Sequence, residues 1–453
     1  MKYNSSLVTV YITNYNYQDY LEEAFTSLVN QTYNSIEIII IDDGSTDNSI
    51  NIIKRLSKKH ENIQTIFQKN KGLNKTNNVA IKKARGKYIM RLDADDILEP
   101  KAIEKMVKVL DENDNIGLVF PDYYLMDENG FKFSAHKRYN FDTDVLLFDR
   151  PAHGACTMIR ISFLKAVNGY DEDFTCQDGY EIWLKFITHY QVKNINEPLF
   201  YYRQHSSNLT KNETKILSTR AAINKKSVQT KNINIESILI LPIRNDKKYL
   251  KVIAGESILE KKINVVLLAE IPKKIIITSS SKDIKEFVQK RYKDESKIIF
   301  IERSEVLERK TTPLSETINF IQKQIDVNYN AIQIISPDFP FIESYSIDDA
   351  LNTMFLFGSD SIISVREDNH MFFQHHGKGM EPILNQNKFT KLERDTLFKS
   401  VGGISAVKKE AFDLSNEIIT GRVGHLMVEE KASIELNNQY GLDLATNIFT
   451  NEQ

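Results

Sequence analysis

The sequence has few cysteines, no long apolar run and almost no excess of charge. Its two cysteines, Cys156 and Cys176, imply no disulfide framework. We expect two reduced, partly buried thiols in a reducing cytoplasm, with a bond between them as the alternative. No apolar stretch approaches about 18 residues and the N-terminus has no apolar signal core, which predicts neither a membrane span nor secretion by a signal peptide. The formal net charge of −2 argues against nonspecific nucleic-acid binding.

Two strongly apolar segments end in clusters of carboxylates. The first runs from Ile36 to Ile41 and continues as Asp42-Asp43-Gly44-Ser45, and the second, Tyr88–Leu92, continues as Asp93-Ala94-Asp95-Asp96. Open α/β sheets bind ligands at the carboxyl ends of their strands. Because clustered carboxylates repel one another unless a cation balances them, the pattern predicts a cation-dependent ligand site. The alternative for Asp42–Ser45 is a strand-ending turn with a helix cap at Ser45 or Asp47.

Strand and helix patterns alternate along the chain and predict two α/β domains. In the first half, a strand at Leu7–Thr13 precedes a helix near Tyr20–Gln31, and further helices follow Asp47 and Pro100. This alternation indicates a largely parallel sheet. The first domain comprises residues 1–230 and ends in a polar linker helix near 211–230. The second domain comprises residues 235–453. The second series has predicted strands at Ile238–Ile243, Lys274–Thr278, Ile298–Ile301, Ile332–Ser336 and Ser361–Val365.

The first half carries a set of short motifs in a recognisable order. They are Val10–Asn16, Ile41–Asp47, Asn70–Gly72, Ala84–Ile89, Leu92–Asp96, Gly169–Glu172, Gln177–Leu184 and Tyr202–His205. In this order and at this spacing they resemble the family-2 glycosyltransferases of the GT-A fold. The predicted fold is therefore α/β with two Rossmann-like domains, of which the first is a GT-A domain.

The resemblance implies a metal-bound nucleotide-sugar donor. A growing charge on the leaving diphosphate is neutralised by a divalent cation, Mn²⁺ or Mg²⁺, for which Asp95 is the expected ligand and His205 a second one. A buried structural role is the alternative for His205. The residues expected to bind the nucleotide are Thr13, Tyr15, Asp43, Lys71, Asn78, Asp93 and Arg203.

Asp178 is the expected general base. Direct inverting displacement requires a carboxylate that takes the proton of the acceptor hydroxyl, and Asp178 stands at the matching position of the family pattern. The alternative is that Asp178 only caps the helix carrying Trp183. Two residues depart from the pattern, because Gln177 replaces a glutamate and Asn77 stands where many relatives carry an arginine.

The second half resembles the CMP-sugar synthetases that activate sialic-type acids and Kdo. The resemblance is carried by Leu241–Arg244, Ile335–Pro340, Asp360–Val365, Gly402–Ala406, Gly421–Gly424 and Ser433–Asn437. The glycine-rich phosphate loop of that family is missing after Arg244, and Glu435 and Asn437 stand where the family places two aspartates. We therefore expect a cytidylyltransferase-like domain that kept the fold and lost nucleotidyl transfer. An unrelated α/β domain is the alternative.

Together these patterns predict an inverting glycosyltransferase that uses a nucleotide-sugar, with UDP as the expected nucleotide, and a glycan or protein acceptor. It would build a surface glycan or glycoconjugate in the cytoplasm or at the inner face of the membrane, with at most peripheral membrane contact. The sequence is compatible with an oligomer, and nucleic acid is not an expected partner. One alternative is a bifunctional enzyme whose second domain makes a CMP-sugar. Another is a noncatalytic scaffold that recognises sugars or nucleotides.

Overall fold

The computed structural model describes residues 5–60, 63–136, 152–205, 212–368, 370, 372–375, 377, 379–383 and 397–451. The chain forms two compact units, Met1–Thr219 and Arg220–Gln453. The boundary between them falls inside helix α7 (Glu213–Thr230), the polar helix that the sequence indicates.

The first unit is built on one mixed sheet. Its strands in the described residues are β1 (Val8–Asn14), β2 (Ile36–Asp42), β3 (Ile63–Phe67), β4 (Tyr88–Asp93), β5 (Ile97–Leu98), β6 (Ile116–Met126), β7 (Lys132–His136), β8 (Met158–Arg160) and β9 (Gln191–Arg203). They lie in the order β3-β2-β1-β4-β8-β6-β9-β5, and β7 pairs with β6. The pairs among β3, β2, β1 and β4 are parallel.

Helices cover this sheet. They are α1 (Leu21–Val29), α2 (Ser49–Lys59), α3 (Leu73–Lys83), α4 (Ala102–Glu112), α5 (Ile161–Ala166) and α6 (Asp178–His189). The apolar faces that helical spacing predicts are buried, as in α1 with Leu21, Ala24, Phe25 and Leu28. Most residues of β1, β2 and β4 are buried, which explains why their sequences are mostly apolar.

The expectation of a largely parallel sheet needs one correction. β8 runs antiparallel to both of its neighbours, β4 and β6, so the sheet is mixed. The alternation of strand and helix is interrupted after α4, because β6 is followed directly by β7, with which it forms an antiparallel pair. Antiparallel neighbours need no crossover helix, and the helix pattern from which a parallel sheet was predicted is therefore absent there.

The second unit also has a mixed main sheet. Its strands are β10 (Ser237–Pro242), β11 (Val252–Ile253), β12 (Glu256–Ser257), β13 (Pro272–Ser279), β14 (Ile298–Glu302), β15 (Ala331–Ile335), β16 (Ser361–Asp368), β17 (Phe373–His375), β18 (Met380–Pro382), β19 (Leu397–Lys408) and β20 (Val423–Met427). Its helices are α8 (Ile258–Leu267), α9 (Lys282–Arg291), α10 (Leu314–Gln322), α11 (Ser344–Leu356), α12 (Lys409–Ser415) and α13 (Gln439–Asn451). The main sheet has the order β14-β13-β10-β15-β19-β16-β20.

The two main sheets share their strand order and directions. In both, the first strand of the unit lies between two parallel neighbours, β2 and β4 around β1 and β13 and β15 around β10. An antiparallel strand follows in each sheet, β8 in the first and β19 in the second. Beyond it lies a parallel pair, β6 with β9 and β16 with β20. The sequence shows no repeat, so this similarity is visible only in the structure.

The two cysteines and the tryptophan are buried in the first unit. Cys156 and Cys176 are free and buried, which confirms the expected reduced thiols. Trp183 is fully buried in α6. None of the helices within the described ranges combines the length and the apolar character that crossing a bilayer would require.

Candidate active site

The carboxyl ends of β1, β2 and β4 meet at one edge of the first sheet. The pairing register places Thr13 of β1 opposite Ile41 of β2 and opposite Asp93 of β4. The residues that follow these strands therefore emerge side by side, as expected for a ligand site in an open α/β sheet. Tyr15, one residue beyond β1, is 46% exposed at this edge.

Asp42 and Asp43 act on different parts of the edge. Asp42 accepts a hydrogen bond from Asn14 Nδ2 (2.9 Å) and another from the Ser45 backbone N–H (3.0 Å), and so closes the turn after β2. The carboxylate of Asp43 accepts hydrogen bonds from the backbone N–H groups of Lys71 (2.9 Å) and Gly72 (2.9 Å). Asp43 thereby holds the loop that precedes α3. The strand-ending turn suggested by the sequence is present, and it is Asp42 that forms it.

Asp95 and His205 lie in direct contact. His205 Nε2 is 2.9 Å from Asp95 Oδ2, and both residues are buried. The imidazole also stacks on Tyr20, with ring centroids 5.4 Å apart, and meets Tyr17 edge-on. Burial raises the pKa of Tyr17, and Asp95 and Asp93 raise it further. The carboxylates near His205 would be favourable neighbours for a cation.

The donor set fits a cation that the substrate helps to coordinate. Within the described residues, no group of three or more His, Cys, Asp or Glu side chains is arranged to hold a metal ion. Asp95 and His205 supply one carboxylate and one imidazole at hydrogen-bonding distance from each other. Mg²⁺-type sites commonly use one or two protein carboxylates and complete the coordination with phosphate oxygens and water. The two side chains would fit a metal whose coordination a diphosphate and water complete.

Arg203 connects three segments of the first unit. Its guanidinium donates hydrogen bonds to the backbone carbonyl oxygens of Asp95 (2.9 Å) and Glu128 (3.2 Å) and forms an ion pair with Glu23 (2.5 Å). The side chain is buried and lies over the ring of Tyr20. Arg203 was predicted to contact the nucleotide. In the structure its guanidinium binds other residues of the protein. It stabilises the segment that carries Asp95.

Asp178 and Asp93 both form an ion pair with the same arginine. Arg91, in β4, forms one ion pair with Asp178 Oδ2 and another with Asp93 Oδ1, the latter with its Nε at 2.7 Å. Burial raises the pKa of Asp93 above its ordinary value, whereas the Arg91 charge opposes this shift. Asp178, the predicted base, and Asp93, predicted to bind the nucleotide, are thus brought to the same edge, although 87 positions separate Arg91 from Asp178.

The start of α6 places Asp178 at this edge. Asp178 is the first residue of the helix, and the preceding Gln177 has the left-handed backbone conformation with φ 60° and ψ 29°. Asn77 Nδ2 lies 3.5 Å from Asp178 Oδ2, and Asn77 Oδ1 accepts a hydrogen bond from the hydroxyl of Tyr11 (3.2 Å). The amide at position 77 therefore contacts the predicted base, where many relatives have an arginine.

Two other predicted nucleotide-binding residues contact the protein itself. The backbone of Lys71 donates to Asp43, while the Lys71 side chain is exposed. Asn78 Nδ2 donates to the Tyr170 carbonyl (2.8 Å) and to Glu172 (2.9 Å), and its Oδ1 accepts from the Tyr170 N–H (3.0 Å). Both ends of the Asn78 amide are thus used to hold the loop around Tyr170. This geometry explains an asparagine at position 78 without a nucleotide.

Arg91 is a residue of the candidate site that the sequence motifs did not reveal. One signal was available, because Arg91 is the charged residue inside the otherwise apolar segment Tyr88–Leu92. Such a residue in a buried strand needs a carboxylate partner. The sequence could not show that the partners would be Asp93 and Asp178.

Comparisons with known proteins identify the family to which this chain is similar. The family model described as glycosyl transferase family 2 matches residues 9–167. An uncharacterised glycosyltransferase of Haemophilus influenzae is 31% identical in an alignment of 277 residues that covers 56% of this chain and 86% of that protein. The chondroitin synthase of Escherichia coli is 29% identical over 211 residues, 45% of this chain and 29% of the synthase.

Among solved structures, a mannosyltransferase of Pyrobaculum calidifontis in complex with GDP-Man and Mn²⁺ is similar to 49% of this chain and 64% of its own, with a TM-score of 0.41 and 17% identity. The Haemophilus relative is covered over most of its length, and the family model spans the strands that carry Asp43, Asp93 and Asp95. The chain belongs to glycosyltransferase family 2.

Proposed function

We propose that the first unit transfers a sugar from a nucleotide-sugar, with UDP as the preferred nucleotide, to a hydroxyl of a glycan or protein and inverts the anomeric configuration. The observation that carries the proposal is the meeting of Asp93, Asp95 and Asp178 at one sheet edge, where Arg91 joins two of them. A carboxylate for the donor and a carboxylate for the acceptor are the minimum that such a reaction requires.

The reaction follows from the positions of these carboxylates. Asp178 takes the proton of the acceptor hydroxyl, the acceptor oxygen bonds to the anomeric carbon, and the bond from that carbon to the diphosphate breaks. The nucleoside diphosphate leaves with the electron pair. A single displacement of this kind inverts the configuration at the anomeric carbon.

The donor side is assigned to the strand ends and the loops after them. Asp95 and His205 would hold a divalent cation, Mn²⁺ or Mg²⁺, which when bound neutralises the charge of the diphosphate. Thr13 and Tyr15 lie where β1 ends, next to Asp93, and suit the base and ribose. Asp43 shapes this pocket by fixing the backbone of Lys71 and Gly72. We assign Asn78 and Arg203 to holding the site together.

The acceptor is expected to be a glycan. One relative is a chondroitin synthase by name, and chondroitin is a polysaccharide. The similarity covers 45% of this chain. We propose accordingly that the chain extends or decorates a surface glycan or glycoconjugate.

The test is a donor screen on the full chain. UDP-sugars and GDP-sugars are offered with Mn²⁺, with Mg²⁺ or with EDTA, and both thermal stabilisation and release of nucleoside diphosphate are measured. We expect stabilisation by a UDP-sugar that requires the cation. GDP-sugar preference would overturn the nucleotide assignment, and equal stabilisation in EDTA would overturn the metal assignment.

Two variants separate binding from chemistry. Asp95→Ala should lose cation-dependent stabilisation by the donor, whereas Asp178→Asn should keep it and lower turnover by about 10²-fold or more. Asp111→Asn is the matched control, since Asp111 is a carboxylate paired with Lys87 on the surface. A wild-type chain that binds donors but never releases nucleoside diphosphate would instead support the noncatalytic alternative.

We further propose that the second unit is a cytidylyltransferase-like domain without nucleotidyl transfer. Asp338 follows β15, which has the place of β4 in the shared strand order, but its carboxylate is bound by Lys248 Nζ (2.7 Å) and by the hydroxyl of Tyr249 (2.8 Å). Asn437 Nδ2 donates to Glu435 (2.9 Å). These side chains bind one another, which supports the loss of a metal site at this edge.

A further inference from the structure

Arg91 is the positively charged residue of strand β4, Tyr88–Asp93. Its side chain is 4% exposed. The remaining interior positions of this strand are filled by apolar residues, so packing alone would be satisfied by a leucine or methionine. The presence of a guanidinium therefore calls for an explanation beyond packing.

The guanidinium connects two carboxylates that the proposed function assigns to different substrates. Its Nε lies 2.7 Å from Asp93 Oδ1 and its Nη2 lies 3.3 Å from Asp93 Oδ2. Its Nη1 is bound to Asp178 Oδ2. Because guanidinium is planar with donors at fixed angles, it sets the position of Asp178 relative to Asp93 more narrowly than a lysine would.

The contacts of Asp178 are confined to one of its oxygens. Arg91 and Asn77 both approach Oδ2, and within the described residues no hydrogen bond to Oδ1 is present. The backbone of Gly154 closes the same side, since a Cβ added there would lie 2.7 Å from Arg91 Nη2 and 3.1 Å from Asp178 Oδ2. The carboxylate is thus held by Oδ2, with Oδ1 oriented away from these contacts.

We propose that Arg91 is a positioning residue that fixes the Asp178 carboxylate against the donor-side Asp93, so that Oδ1 meets the acceptor hydroxyl at the distance that proton transfer requires. The inference rests on the proposed function of Asp178 as the base. A misplacement of about 1 Å can cost about 10²-fold in rate without loss of binding. Arg91 should therefore affect turnover far more than donor affinity.

The experiment compares Arg91→Met and Arg91→Lys in the wild-type chain and in the Asp178→Asn chain. We expect Arg91→Met to lower kcat by about 10²-fold and to raise the Kd of UDP with Mn²⁺ by a much smaller factor. Arg91→Lys keeps the charge and should retain more activity. In the Asp178→Asn chain, loss of Arg91 should change kcat by no more than about 2-fold, because the two residues act as one unit.

Arg160→Met is the matched control. Arg160 is also a buried arginine of the first sheet, but it donates to the backbone carbonyls of Leu110 (2.9 Å) and Asn113 (3.2 Å). Any damage from its loss is structural and should lower kcat by the same factor in both chains. If Arg91→Met behaves in this way too, or if it weakens donor binding as much as turnover, the positioning role is wrong. A wild-type chain that transfers no sugar overturns the proposed function and with it the role of Asp178.

Discussion

Arg91 and Lys262 are both cations with almost no exposure to solvent, and their surroundings shift the two pKa values in opposite directions. Burial alone would lower the pKa of Arg91, but Asp178 and Asp93 outweigh burial and raise it. Lys262 donates to the backbone carbonyl of Phe339 (2.6 Å). Burial lowers the pKa of Lys262 to about 7, against a smaller opposing effect of Glu343. A backbone carbonyl cannot compensate a charge as a carboxylate does.

Lys262 should make the stability of the second unit depend on pH. Its pKa is lower in the folded than in the unfolded chain, where it is about 10.4, so the unfolded chain binds an extra proton between these two values. The free energy of unfolding should therefore rise with pH, by up to about 1.4 kcal/mol per pH unit, and level off below the folded pKa. Urea unfolding followed by circular dichroism at pH 7 and pH 9 measures it.

Lys262→Met removes the titrating group and should remove this part of the pH dependence. Circular dichroism is needed because Trp183, the single tryptophan, reports on the first unit. Lys251→Met, at an exposed position of the same unit, is the control and should keep the wild-type dependence. An equal dependence in the wild type and in Lys262→Met would show that Lys262 is charged in the folded chain.

At the level of single elements, the start of α6 depends on an unusual backbone conformation. Gln177 is left-handed, with φ 60°, a region that asparagine adopts readily and β-branched residues do not. We expect Gln177→Asn to be neutral and Gln177→Val to lower the free energy of unfolding of the first unit by about 1–3 kcal/mol.

Trp183 lies in the same helix and provides the signal for this pair of variants. Urea unfolding curves from its fluorescence give the difference between the two substitutions. Equal stability of the Asn and Val variants would mean that position 177 does not need the left-handed conformation. A loss of turnover in the valine variant beyond its loss of stability would add that the start of α6 also aims Asp178.

Local patterns explain which elements the sequence predicts well. The helices α1 and α4 and the strands β1, β2 and β4 follow from spacing and apolar runs, because a single segment contains the whole signal. The insertion of β8 between β4 and β6 does not, since pairing partners distant in the chain leave no local pattern. The same limit applies to the site: Asp95 and Asp178 are found from their motifs, whereas the shared contact with Arg91 requires the folded chain.

At the scale of the whole molecule, two sheets with one strand order carry two different sets of strand-end residues. The first presents Asp93 and Asp95, and the second presents Asp338 bound to Lys248. In the second unit, Glu308 also accepts hydrogen bonds from the backbone N–H groups of Asn245 (2.9 Å) and Ser280. A carboxylate of the protein thus binds two backbone N–H groups, the kind of donor that binds phosphate in other proteins.

The full chain should therefore form no CMP-sugar. Incubated with CTP and a sialic-type or Kdo-type acid, it should release no pyrophosphate, because the groups at the proposed metal and phosphate positions bind other groups of the protein. Pyrophosphate release with a panel of such acids is the measurement. Steady turnover that disappears in Arg244→Ala would contradict the prediction and favour the bifunctional alternative.

The common strand order of the two units also bears on how the chain reaches its native state. In each main sheet the first strand lies between strands that come later in the chain, β2 and β4 around β1 and β13 and β15 around β10. Such nonlocal pairing is slow, and two sheets with equal strand directions offer each other wrong partners while both are incomplete. During synthesis β1 to β9 emerge before β10 exists, so the ribosome separates the two searches in time. Refolding from denaturant removes that separation.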